Sequence, residues 1–473
     1  MNRSKKIYAL LGVLILVCAA TFAVKRIEEH KEKIRNSDEI ILELPGDSVR
    51  SLSWEYGETA LAFHKSERWL YDEDEAFPVS EKQVGELLEQ FESFGVSFTI
   101  EDVEDYSQYG LDDPICTIRL TTDQQSYEIK LGDYSKMDSK RYVSIGDGSV
   151  YLVQNDPLEH FDVELRDMID NDETPSFDKV TGIQFKGDEN YTIAYEEDST
   201  STYSADDVYF ARQSGQSQPL DTSSVDSYLQ TISYLSLTDY ISYNATEEEL
   251  LTYGLDTPDL TVMVDYIAED GDGSEGQDTF VLHISRDPEE KKAEQEAVEN
   301  GDEDSTNETV TAYARVGDSQ IIYKISSSSY KNLMAASYDD LRHREVFWGD
   351  FADVRQIDIS LEGAKYIIDS EKEGDERTYI YQGEELEIDD LKKALESLSA
   401  LSANSFTDER PTQREEIQLT VYLDNENYPQ ISISLYRYDG TDCLAVVNGQ
   451  PVSFVERTAV VDLIEAVHMI VLN

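Results

Sequence analysis

Asp270, Asp272 and Ser274, in the acidic run DGDGSEGQD, come nearest to a metal-binding pattern. A calcium loop on that spacing needs glycine at its sixth position and a bidentate glutamate at its twelfth. Glu275 and Val281 stand there instead, so the run reads as a polar hairpin tip. The 6 histidines, at positions 30, 64, 160, 283, 343 and 468, form no HExxH pair and no other ligand spacing. Cys18, Cys116 and Cys443 are far apart in apolar surroundings, and read as small buried hydrophobes rather than a zinc or disulfide framework. No metal and no cofactor is expected.

Nucleophilic chemistry fares no better. Ser176 with Lys179 and Ser328 with Lys331 match an SxxK spacing, but the SDN and KTG elements of that chemistry are missing and no GxSxG elbow occurs. Ser328 opens a helical stretch, where capping is the ordinary role. Paired carboxylates are uninformative in a chain with 99 Asp and Glu residues. Trp54, Trp69 and Trp348 could serve as stacking platforms for a sugar, yet Trp54 and Trp69 sit in strand patterns among apolar neighbours and read as core. No catalytic residue is assigned, and the chain is not expected to be an enzyme.

One motif recurs. Tyr109, Gly110, Leu111, Asp112, Asp113 and Pro114 return as Tyr253, Gly254, Leu255, Asp256, Thr257 and Pro258. A local cause is available. Thr246 and Glu249 make a capping box for a short helix ending at Tyr253; Gly254 then takes the left-handed cap conformation and Pro258 stops the helix resuming. The motif is thus a structural repeat signature, with Asp112 and Asp256 as turn formers.

The elements around it also repeat. Val84, Leu87, Leu88, Phe91 and Phe94 form one apolar helical stripe, preceded by a capping box of Ser80 and Gln83. Val225, Tyr228, Leu229, Ile232 and Leu235 repeat its offsets, as do Leu391, Ala394, Leu395, Leu398 and Leu401. Strand-like alternation precedes each stripe, starting near Val49, Ile183 and Val354, and further strands follow each one. A hairpin then closes each copy, through Gly146 to Ser149, through Gly317-Asp318 and through Asn448-Gly449.

The expected fold is α+β: an N-terminal transmembrane helix followed by three tandem strand-rich modules, each an antiparallel sheet packed with one main amphipathic helix. The modules are placed at 45–172, 177–346 and 351–473, the third degenerate because it lacks the signature and keeps only Pro411 nearby. Residues 289–308 form an acidic insert in the second, read as a solvated loop.

With 99 acidic against 39 basic residues the net charge is −60, which excludes general binding to nucleic acid. Solubility of an exposed body explains the excess most simply; attraction of cations or a basic partner is the sharper alternative. The uncharged segment 7–24 follows the basic head 1–6 and is expected to span a membrane as a signal anchor, with 25–44 as linker. A cleaved signal peptide would need Thr21-Phe22-Ala23 as its cleavage site, and a lipoprotein anchor at Cys18 would need a small residue where Val17 stands. Lys25, Arg26, Lys31, Lys33 and Arg35 blur the charge bias, but a long polar body after a short basic head is the export layout, so a single-pass protein with an extracytoplasmic body is expected.

The doubled YGLDxP signature at Tyr109 to Pro114 and Tyr253 to Pro258, with the repeat layout, resembles the bacterial domain-of-unknown-function 4340 family. That resemblance implies a cell-envelope protein linked by gene context to gliding-motility-like ABC transporters, with permease subunits as partners; it implies no activity. The expected function is therefore a membrane-anchored, non-enzymatic binding or scaffold protein accessory to such a transporter. Binding of wall polysaccharide or peptide is the alternative, and an envelope hydrolase the third reading.

Overall fold

Val49–Tyr56, Val180–Lys186 and Val354–Leu361 are the strands around which the chain builds three antiparallel sheets. All three begin with the same burial sequence: the first, fourth and sixth residues are buried and the second is exposed. Strict alternation would put the first and fourth residues on opposite faces. A β-bulge reconciles them. The ladder to the neighbouring strand slips between Val49 and Ser51, between Val180 and Gly182, and between Val354 and Gln356. The extra residue turns Val49, Val180 and Val354 back toward the core.

The computed structural model describes residues 33–36, 38–213, 215–269, 275–299, 309–374, 376–386, 394 and 396–471. The chain divides into two compact units, one ending at Asn171 and the other spanning Asp172–Asn473. The first holds a 10-stranded sheet and the second holds two 9-stranded sheets. In the first sheet the shared path runs Phe94–Glu101, Val150–Val153, Lys140–Ser144, Ser126–Ser135, Cys116–Thr122, Val49–Tyr56, Thr59–Lys65, Trp69–Tyr71. The second repeats that order from Tyr240–Ser242 to Tyr209–Gln213, and the third from Ala403–Phe406 to Glu376–Tyr381. Three strand-rich modules with mixed helices are therefore present.

Each sheet buries the face that meets its helix. Glu81–Glu89 buries Val84, Leu87 and Leu88, and Thr222–Ser233 buries Val225, Tyr228, Leu229 and Ile232. Trp54 is fully buried, edge-on to Phe161 at 5.4 Å, and its counterpart Phe185 meets Tyr228 at the same distance. Ala394, Leu398 and Leu401 are buried in the third module; Leu391 and Leu395 lie outside the described residues.

Several expectations need correction. Segment 7–24 lies outside the described residues, and among those residues no helix is long and apolar enough to cross a membrane. The longest of them, Arg457–Val471 at 15 residues, packs its apolar face on the third module's core. It would span about 22 Å against the ~30 Å of a bilayer core. The fold class is thus three strand-rich modules without a transmembrane helix among the described residues. The signal anchor, the single-pass extracytoplasmic placement and the membrane partnership with transporter permeases lose their support with it, as does the membrane-anchored scaffold function.

Smaller corrections follow from packing. Phe94, Leu235 and Leu401 continue the helical stripes in sequence but lie past the helix ends; Phe94 starts the strand that pairs with Val150–Val153. That strand carries an alternation of its own, Phe94, Val96, Phe98 and Ile100, which the helical stripe through Phe94 obscured; its counterparts, Tyr240–Ser242 and Ala403–Phe406, are too short to show one. The Ser80 capping box is half made. Ser80 accepts from the Gln83 N–H at 3.4 Å, but its own N–H donates to Met168. Within the acidic insert Pro288–Glu299 is a helix, begun by Pro288 at its first position and by Asp287, which accepts from the N–H groups of Glu289 and Glu290.

Candidate functional site

The two signatures adopt one geometry. Gly110 and Gly254 hold φ of 67° and 72°, the left-handed conformation that glycine adopts without strain. Leu111 N–H donates to Tyr106 and Gly110 N–H to Ser107; Leu255 N–H donates to Leu250 and Gly254 N–H to Leu251. Both are Schellman caps, the first ending the short helix Tyr106–Tyr109 and the second Glu247–Thr252. The expected Thr246–Glu249 capping box is complete. The Glu249 carboxyl is held below its ordinary range, first by the Thr246 backbone N–H and then by its hydroxyl.

The caps serve packing. Tyr109 lies on Tyr142 at 4.9 Å and Tyr253 on Tyr313 at 4.8 Å, while Leu111 and Leu255 are buried beneath. Tyr142 and Tyr313 hold the same position on the closing hairpins, so each cap plugs its hairpin. Asp112 accepts from the N–H of Asp113, and Asp256 from the hydroxyl of Thr257. Asp112 also borders a hollow of about 480 Å³ with Glu128, Lys130 and Ser144. Lys130 there pairs with Glu128 at 3.5 Å and Ser144 accepts the Gly146 N–H. Pro114 and Pro258 stand just before the strands Cys116–Thr122 and Leu260–Glu269.

Other chemistry-bearing residues are dispersed. Ser328 bonds Ser326, the cap of helix Ser327–Met334, and Ser176 donates to Asp178 while Lys179 pairs with Glu275. Burial pushes the Cys116 and Cys443 thiols up to about 12 and about 11. Trp54 and Trp69 are buried and closed to a sugar. Asp270, Asp272, Ser274, His30 and Cys18 lie outside the described residues, among which no group of three or more His, Cys, Asp or Glu could hold a metal.

The second unit contains a polar cluster that the sequence did not announce. Asp207, with a side chain 1% exposed, accepts from His343 Nε2 at 2.8 Å, from Trp348 Nε1 at 3.1 Å and from the Thr202 hydroxyl. His343 stacks on Trp348 at 4.3 Å, and Tyr203 stacks on Phe347. Tyr428, from the third module, donates to the Ser201 carbonyl at 2.8 Å. The cluster joins the second module to the segment leading into the third. Its bonds run between elements distant in sequence, which makes it a buried clasp.

The fold and this site define a class: tandem antiparallel-sheet modules, the first two sealed by a helix cap on a hairpin. The chain belongs to the family described as Domain of unknown function (DUF4340), which matches residues 69–258 and again 211–420. The two matches begin at equivalent strands, since Tyr71 and Ala211 face Phe63 and Ile193 in the same register. Each runs on into the next module, so the family unit straddles neighbouring modules. The gene-context link to transporters finds no support in these matches. No curated protein and no solved structure matches the chain.

Proposed function

We propose that this protein is a non-enzymatic binding protein whose modules present an anionic surface to a basic protein partner. The observation that carries this reading is the fate of the signature: in both copies its side chains close a helix cap onto a hairpin, and its aspartates hold neighbouring turn atoms. With 99 acidic residues against 39 basic ones, the chain carries a field that steers cationic partners, more strongly at low salt.

Carbodiimide coupling, which joins carboxylates directly to lysine amines, tests this in cells that express the chain naturally. Mass spectrometry should recover one basic protein repeatedly, joined to carboxylates on a contiguous face. Cross-links confined to the chain itself, or turnover by the purified protein in a hydrolase panel, would overturn the reading.

A further inference from the structure

A hollow of about 540 Å³ opens in the second unit between the segment 174–178 and the helix Thr222–Ser233. Two hydrogen bonds fix its mouth: the Thr174 hydroxyl donates to the Ser233 carbonyl at 2.8 Å, and the Ser233 hydroxyl to the Pro175 carbonyl at 3.0 Å. Aromatic rings form its walls. Phe177 is held edge-on to Tyr266 at 5.4 Å, Tyr209 is buried, and Tyr234 stands at the rim, 84% exposed.

The charged lining is of one sign. Asp178 and Asp226 border the hollow, and among the described residues no lysine or arginine does. Asp226 makes no ion pair among the described residues; its hydrogen-bond partner is the Tyr209 hydroxyl. Desolvation by its surroundings holds the Asp226 carboxyl above its ordinary range. A carboxylate so placed gains from an arriving cation, and ring faces beside it attract the same ion. The first module has no such site: its helix carries Gly85 where the offsets place Asp226, and a Cβ there would meet nothing within 4 Å.

The geometry points to a binding site for a guanidinium or ammonium side chain of a basic protein segment in the hollow that Asp226, Asp178, Tyr209 and Tyr234 line. This deepens the proposed function and rests on it. The charge complementarity selects the occupant: an anionic group would face two carboxylates, and a neutral one would leave both without a counter-charge.

Fluorescence anisotropy on the full chain tests it with a dye-labelled Gly-Arg-Gly-Arg-Gly peptide and a copy carrying neutral citrulline for arginine. Salt of about 0.15 M confines the reading to close charges, because the Debye length is then ~8 Å. The arginine peptide should bind at least about tenfold more tightly than the citrulline one. Asp226→Asn should remove about that factor and Tyr234→Ala a few-fold, whereas Glu362→Gln, in an exposed turn of the third module, should change nothing. Equal binding of both peptides, or equal losses in D226N and E362Q, would overturn the site. A failed peptide alongside a cross-linked basic partner removes this pocket alone; a bound peptide without any such partner removes the broader function.

Discussion

The first and second modules share a strand order, a bulge and a signature cap, yet they support that cap in different ways. In the first, the sheet residue beneath the cap is Gly132, and a Cβ there would run into the Tyr109 carbonyl oxygen. In the second, the same register position is Ser285, fitted against Gly254. Behind Gly132 the first module buries Arg141, which pairs with Asp156 at 2.7 Å and donates to the Gly132 carbonyl at 2.8 Å. By register the second module has the buried Ala312 in that place. The signature therefore dictates the cap and its aromatic contact, while the sheet beneath is free to vary if the space is filled.

The largest effect should come from Arg141→Met. Asp156, 11% exposed, would keep its charge without a cation and with only the Leu158 N–H still donating to it, at a cost of about 3–5 kcal/mol in the unfolding free energy of the first unit. Urea denaturation followed by near-ultraviolet circular dichroism reads this directly. A change below about 1 kcal/mol would mean the pair is no more needed than Ala312 suggests.

Gly132→Ser comes next. It installs the second module's residue in the first, and the clash with Tyr109 should destabilise that unit by about 1–3 kcal/mol. If the variant is neutral, the two modules do not differ in how closely the cap approaches the sheet.

His283 gives a smaller, pH-dependent effect. It stands at the register position of Lys130, and burial, aided by Arg315, lowers its pKa below the ordinary 6.5. Well above 6.5 neither folded nor unfolded chain protonates it, so its neutral form carries no penalty. As pH falls below 6.5 the unfolded chain takes the proton first, so stability declines until the folded histidine is also protonated. Thermal melts of His283→Gln should lose that part of the acid slope, whereas Lys130→Gln should leave it intact.

The smallest effects belong to the two aspartates that recur in the repeat. Asp112→Asn and Asp256→Asn should each shift stability by no more than about 0.5 kcal/mol, because among the described residues the side chains bond adjacent turn atoms. A loss of partner binding in either variant, with stability intact, would make the turn a contact surface instead.

Much of this fold was legible from local pattern. The strands beginning at Val49 and Val354, the Gly254 cap and the Asn448-Gly449 hairpin, with φ of 49° and 78°, follow from residues close together in the chain. The strand Ala403–Phe406 was not legible, since what makes it a strand is the hairpin it pairs with; Phe94–Glu101 was legible in its alternation of Phe94, Val96, Phe98 and Ile100, but the helical stripe was carried through Phe94 instead. The helix Pro288–Glu299 was hidden by its acidic composition, although Asp287 and Pro288 carried a start signal. The Asp226 pocket was invisible for a different reason: its carboxylate lies on a helix, Tyr209 on a strand, and Phe177 on the segment that precedes the sheet.

The sequence by itself determined the threefold repeat, the caps and the closing hairpins, because capping, turn chemistry and apolar periodicity act over a few residues. Only the tertiary structure decided what those signals serve. Tyr109 and Tyr142 meet because the sheet brings a cap over a hairpin, and Asp207 accepts from His343, 136 residues away, because two modules fold against a common segment. Contacts of that range depend on which surfaces exclude water together, and no local spacing records it.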